Sequence, residues 1–316
     1  MTKKIAVIND LSGFGRCSLT AAISVISAMG IQACPLPTAI LTAQTGYPHY
    51  YLDDYTDKMD IYRQEWQKMG QHFDGIYTGF VASEAQIDQI FHFIDTFYTS
   101  DTFLLVDPVM GDDGIKYDMF TPKLLEKMNA LVGEADIITP NLTELCLLTD
   151  ASYDTIMEIT DKDILIDVIG ELASTLLPVD NDYSKEIIVT GIHFNNEHGQ
   201  KMMGNLYISQ KSRKLFAFPH VGGSYSGTGD LFASCIAAGK CRGDKIPDLI
   251  HLAGTFLEQA IKDSAEENVP YPDGTNYEKY LHLLMMKENH YYFFSDITSP
   301  NTVNAVPPNI KGVTFS

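Results

Sequence analysis

The stretch Gly223-Ser-Tyr-Ser-Gly227-Thr228-Gly229-Asp230 crowds glycines into a turn, closes it with an acid and runs straight into apolar Leu231, Phe232, Ala233, Ile236 and Ala237. A helix starting there presents backbone N–H groups to an anion. A phosphoryl group could rest on those amides while Asp230 takes up a hydroxyl beside it. The competing reading makes Asp230 the N-cap of the helix and the glycines an ordinary turn.

Other clusters offer compatible chemistry. Asp107-Pro-Val-Met-Gly111 directly follows the apolar run at 103–106. An acid there can ligate Mg²⁺ or orient a phosphate through it; an Asp-Pro turn is the structural alternative. Thr139-Pro-Asn141-Leu-Thr-Glu144 places a second acid near a strand end, as a further metal-side group or as half of a capping box with Asn141. Gly13-Phe-Gly15-Arg-Cys-Ser18 looks like a dinucleotide fingerprint, but Ser18 fills the third position. No Asp or Glu stands between Asp10 and Asp53 to hold a ribose. That argues against NAD and for a tight substrate-side turn. The nine histidines show no ligand spacing, and neither a nucleophile elbow nor a P-loop occurs.

The elements needed to bring these groups together alternate regularly. Strands are expected at 5–8, 75–79, 103–106, 136–138 and 187–190. Helices are expected at 19–29, 61–69, 84–98, 122–132 and 162–177. That alternation indicates a mostly parallel sheet with helices on both faces. Residues 32–39, interrupted by prolines, suit an edge strand or a site-lining segment. The aperiodic stretch 41–54 with Gln44-Thr45-Gly46-Tyr47 suits a substrate loop. Residues 204–209 and 214–218 read as an edge β-hairpin, and helices at 247–263 and 276–287 complete the body. The polar clusters fall at the carboxyl ends of the strands, where open α/β sheets bind ligands.

The whole chain sets limits. Its 316 residues carry a formal charge of −19, spread along the sequence, which argues against nucleic acid and anionic membranes as partners. Five scattered cysteines without a Cys-x-x-Cys pair, and an apolar run of only four residues near Met1, predict a soluble cytoplasmic protein. Residues 1–290 read as one large domain, and 291–316 as an aperiodic C-terminal extension.

With Asp107-Pro-Val-Met-Gly111, Thr139-Pro-Asn141-Leu-Thr-Glu144 and Gly227-Thr-Gly-Asp230 in this order and spacing, the chain resembles the ribokinase superfamily. Its closest likeness there is to pyridoxal/pyridoxamine kinases, over residues 3–288. The resemblance implies a ribokinase-like α/β fold and ATP-dependent phosphorylation of the 5′-hydroxymethyl group of a B6 vitamer in pyridoxal 5′-phosphate salvage. It also implies Mg²⁺, a monovalent cation such as K⁺ as a further candidate, and a homodimer. Asp230 would take the hydroxyl proton, with the amides of Gly227, Thr228, Gly229 and Asp230 as the anion hole. Asp107 and Glu144 would hold the metal, and Asn141 and Thr190 would join them and the glycines around ATP. Asp10, Ser12, Gln44, Thr45 and Tyr47 would receive the vitamer. Two positions depart from the family pattern: Asp10 stands where serine is common, and Gln44 where histidine is. An acid at Asp10 could pair with an aminomethyl group. A hydroxymethylpyrimidine kinase of thiamin synthesis and a non-catalytic vitamer-binding protein are the rival readings.

Overall fold

The computed structural model describes residues 2–179 and 184–285. The proposed extension at 291–316 lies outside them. The first half runs β1 (Lys4–Ser12), α1 (Ser18–Ala28), β2 (Gln32–Leu41), β3 (Leu52–Asp54), α2 (Thr56–Lys68), β4 (Gly75–Thr78), α3 (Glu84–Phe97) and β5 (Phe103–Val106). A ribbon of β6 (Gly111–Asp112) and β7 (Ile115–Lys116) precedes α4 (Pro122–Glu134), β8 (Ile137–Ile138), α5 (Leu142–Thr149), α6 (Tyr153–Met157) and α7 (Lys162–Ser174). Then come β9 (Glu186–Asn195), β10 (Lys201–Ser209), β11 (Ser212–Pro219), α8 (Thr228–Arg242) and α9 (Ile246–Glu266). Two 3₁₀ turns, Tyr271–Asp273 and Tyr277–Tyr280, lead into the short α10 (Leu281–Leu284).

Nine strands form one sheet in the order β11-β10-β9-β8-β5-β4-β1-β2-β3. The strands from β9 through β2 pair in parallel, while β3 at one edge and the β10–β11 hairpin at the other are antiparallel. Successive residues of a strand face opposite sides, and both sides are apolar here. Ala6, Ile8, Ile76, Leu104, Val106 and Ile138 pack under the layer that includes α3, α4 and α7. Ile5, Val7, Tyr77, Leu105, Ile137 and Ile188 pack under α1, α8 and α9. Burial on both faces is why the strands read as continuous apolar runs. Among the described residues no helix is long and apolar enough to cross a membrane.

The structure corrects several boundaries. The expected edge strand is one strand further in, because Ala39–Leu41 of β2 pair with β3, inside the stretch read as a loop. The remainder of β2 has β1 as its one strand neighbour, and Pro35 and Pro37 lie in that stretch, as prolines in sheets favour. The helix expected at 276–287 is a 3₁₀ turn and one short α-turn as far as residue 285, with its last two residues outside the described chain. The ribbon β6–β7 and helix α6 went unanticipated, since neither shows the unbroken apolar run that marked β5 and β8 nor enough turns for a helical period.

Candidate active site

Helix α8 begins at Thr228, capped by Gly227 in the left-handed region with φ 82°. A Cβ at Gly227 would stand 2.1 Å from the Arg16 carbonyl oxygen, so the turn tolerates glycine alone. No side chain caps this end. Its first amides therefore lack intrahelical acceptors and remain available to an anion. Asp230 is the third residue of the helix, which overturns its reading as the N-cap. Its carboxylate Oδ1 accepts from Asn9 Nδ2 at 3.0 Å. Burial raises the Asp230 carboxyl to about 6, the Asp10 charge adds to this, and hydrogen bonds from Ser18 and Asn9 hold it back.

Asn9, in the second half of β1, stood beside Asp10 among the polar residues expected at strand ends but was given no role from sequence. Its Oδ1 accepts the Phe80 N–H at 2.8 Å and the Asp10 N–H at 3.0 Å, which turns Nδ2 toward Asp230. Gly79 makes room, because a Cβ there would lie 2.4 Å from Asn9 Nδ2. The β1–β2 register shifts between Asn9 and Leu11. Such a bulge re-aims a side chain: Asp10 Oδ2 accepts from Ser12 Oγ at 2.8 Å, and Ser18 of α1 bonds it too. Asp10 is buried and its carboxyl is raised, by desolvation first.

Asp107, at the end of β5, accepts from Thr139 Oγ1 at 2.8 Å. Asn141 caps α5 in a complete capping box. Its side chain accepts the Glu144 N–H at 2.9 Å, and Glu144 Oε2 accepts the Asn141 N–H at 2.7 Å. Glu144 Oε1 also takes the Met110 N–H at 3.1 Å. The capping role of Asn141 and Glu144 is therefore real, and it fixes the carboxylate beside Asp107. Burial raises both acids, with Asp230 adding to Asp107, and Asp107 adding to Glu144. Two buried oxygen donors that repel each other fit a hard divalent cation. Mg²⁺ is usually held by one or two carboxylates plus substrate phosphates; among the described residues no group of three or more His, Cys, Asp or Glu is placed to hold a metal ion.

A cavity of about 680 Å³ opens beside these groups, a size suited to a small ligand. Asn141, Thr190, Thr228 and Gly229 line it, four of the expected residues, together with Thr139. Phe194, Met203, Phe218, Leu257 and Ile261 supply an apolar wall that sequence reasoning did not find, because β9, the hairpin and α9 contribute it jointly. Lys201 is the sole lysine or arginine lining the cavity among the described residues.

The acceptor-side residues divide. Asp10 and Ser12 adjoin Asp230 through the β1 end, and Thr45 is exposed. Gln44 and Tyr47 spend their polar atoms on the chain itself. Gln44 Oε1 accepts the Gly46 N–H at 2.7 Å, and Gln44 Nε2 donates to the Pro272 carbonyl at 3.0 Å. The Tyr47 hydroxyl donates to Asp273 Oδ1 at 2.5 Å.

A largely parallel sheet ending in an uncapped helix, with buried acids along the strand ends, is the architecture of ribokinase-like phosphotransferases. The chain matches the family model described as phosphomethylpyrimidine kinase over residues 15–271, and it belongs to that family. It is 35% identical to a Bacteroides thetaiotaomicron "putative phosphomethylpyrimidine kinase" crystallised with pyridoxal, with a TM-score of 0.80, covering 90% of this chain and 96% of that one. Pyridoxal kinase from Lactobacillus plantarum is 26% identical with a TM-score of 0.78, covering 92% and 99%. A curated Schizosaccharomyces pombe "putative pyridoxal kinase" is 28% identical over 183 residues, which are 57% of this chain and 50% of that relative.

Proposed function

We propose that the chain transfers the γ-phosphoryl group of ATP to the 5′-hydroxymethyl group of a B6 vitamer, in pyridoxal 5′-phosphate salvage. The observation that carries this is the pairing of an uncapped α8 N-terminus, facing the cavity at Thr228 and Gly229, with a half-buried Asp230 at the third helical position, bonded by Asn9. The apolar wall around Phe194 and Phe218 suits the nucleotide base, and Asn141 and Thr190 suit the phosphates. Asp230 accepts the hydroxyl proton as the new O–P bond forms and the bond to the ADP leaving oxygen breaks. The amides of Gly227 to Asp230 stabilise the charge on the moving group. Asp107 and Glu144 would hold a Mg²⁺ ion, whose charge offsets that of the phosphate chain. Residues 1–290 are read as one kinase unit, cytoplasmic and homodimeric, on the strength of the same resemblance.

The family description favours one second reading, hydroxymethylpyrimidine as acceptor. Assay with ATP and Mg²⁺ against pyridoxal, pyridoxamine, pyridoxine and hydroxymethylpyrimidine separates the two. A B6 vitamer should show the highest kcat/KM. Turnover of the pyrimidine alone would replace the first reading with the second.

A further inference from the structure

Three successive carbonyls of the turn after α9 each accept a hydrogen bond from a different loop. The Tyr271 oxygen takes the Ser226 N–H at 3.2 Å, and Ser226 belongs to the turn that opens α8. The Pro272 oxygen takes Gln44 Nε2 at 3.0 Å, from the loop after β2. The Asp273 oxygen takes the Arg16 N–H at 3.2 Å, from the loop after β1. The Asp273 side chain then binds the Tyr47 hydroxyl. Packing leaves no slack: a Cβ on Gly274 would stand 2.8 Å from Arg16 Cβ and 3.1 Å from the Ser226 carbonyl oxygen. An ion pair of 2.7 Å between Arg16 and Glu278 anchors the same loop to the next 3₁₀ turn.

We propose that Tyr271–Asp273 is a positioning element that holds the acceptor loop in register with the phosphoryl-receiving turn, and that Asp273 is the residue that sets this register. The proposal rests on the kinase reading above. Gln44 and Tyr47 then act by shaping the acceptor pocket, and their polar atoms are committed to the latch. Loosening the latch lets the acceptor hydroxyl drift from the line of attack, while the nucleotide side, built by β8, β9, the hairpin and α9, stays intact. Water can then take the place of the hydroxyl, so ATP and water give ADP and inorganic phosphate without phosphorylated acceptor.

The test uses the full chain and whichever hydroxymethyl acceptor the wild type phosphorylates; a wild type inert toward every such acceptor would instead refute the kinase reading. Asp273→Ala should lower acceptor kcat/KM by about 10- to 100-fold, the usual scale for ångström-level misplacement. ADP affinity by calorimetry should stay within about twofold, and ADP formed per acceptor phosphorylated should rise above one-to-one. Asp273→Asn keeps the accepting oxygen and should recover most of the loss. Tyr47→Phe should be costly alone yet nearly neutral in the Asp273→Ala background, as expected for partners in one contact. Unchanged acceptor kcat/KM in Asp273→Ala, additive effects of the two substitutions, or equal losses in acceptor turnover and ADP affinity would each overturn the proposal.

Discussion

At the scale of single residues, Asp230 carries the most weight. Asp230→Asn keeps the bond to Asn9 feasible but removes the proton acceptor. It should lower kcat by at least about 100-fold, the range for a lost general base, with KM little changed. Because Asp230 must be ionised to accept a proton and titrates at about 6, wild-type kcat/KM should fall as pH drops through about 6. The variant should lose that acid limb. A wild-type rate flat from pH 5 to 8 would remove Asp230 from the base role. The candidacy of this residue was legible from Gly-Thr-Gly-Asp, but its raised carboxyl was not. The cause is burial beneath β1 and the proximity of Asp10, more than 200 positions away in sequence.

At the scale of elements, the junction of α8 with the loop before α1 separates two kinds of glycine. Gly227→Ala would strain a left-handed residue and drive a methyl into the Arg16 carbonyl. It should cost at least about 2 kcal/mol by thermal or chemical unfolding, beyond the penalty of the left-handed conformation alone. Gly229 has open space where a Cβ would go. Gly229→Ala should therefore leave the melting temperature almost unchanged while reducing kcat, and an equal loss of stability in both variants would contradict this division. Helix α3 was readable because its apolar residues repeat along the chain, and β5 because it is an unbroken apolar run. The latch at 271–273 was not, since it is one 3₁₀ turn whose work is done by backbone carbonyls, and any sequence supplies those. Gln44 and Tyr47 were singled out within the stretch 41–54, yet only the structure shows that they bind Pro272 and Asp273.

At the scale of the whole molecule, Asp10, Asp107, Glu144 and Asp230 all have raised carboxyl groups at one end of the sheet. Each binds its proton more tightly when folded than when unfolded. The folded state thus gains on the unfolded one as pH falls, and this contribution is lost as pH rises through about 6 and above. His193, lowered by burial, works in the opposite sense, and Lys185, lowered to about 8, titrates above this range. Asp112 is raised by burial as well, so with five acids against one imidazole the denaturation midpoint of the unliganded chain should be higher at pH 5.5 than at pH 7.5. A midpoint that rises with pH over that interval would contradict the raised state of these carboxyls, which burial causes first.

The three-loop latch also has a consequence in time. Arg16 and Asp273 are separated by 257 positions, so a ribosome releases the first glycine loop long before the turn that secures it. The sheet can assemble β1, β2, β4, β5 and β8 as they emerge, since each finds a neighbour already made or soon to follow. The meeting of the three loops must wait for residues 271–273. Long-range closures of this kind form late in folding, and a nascent or clipped chain ending within α9 would lack the turn that ties those loops together.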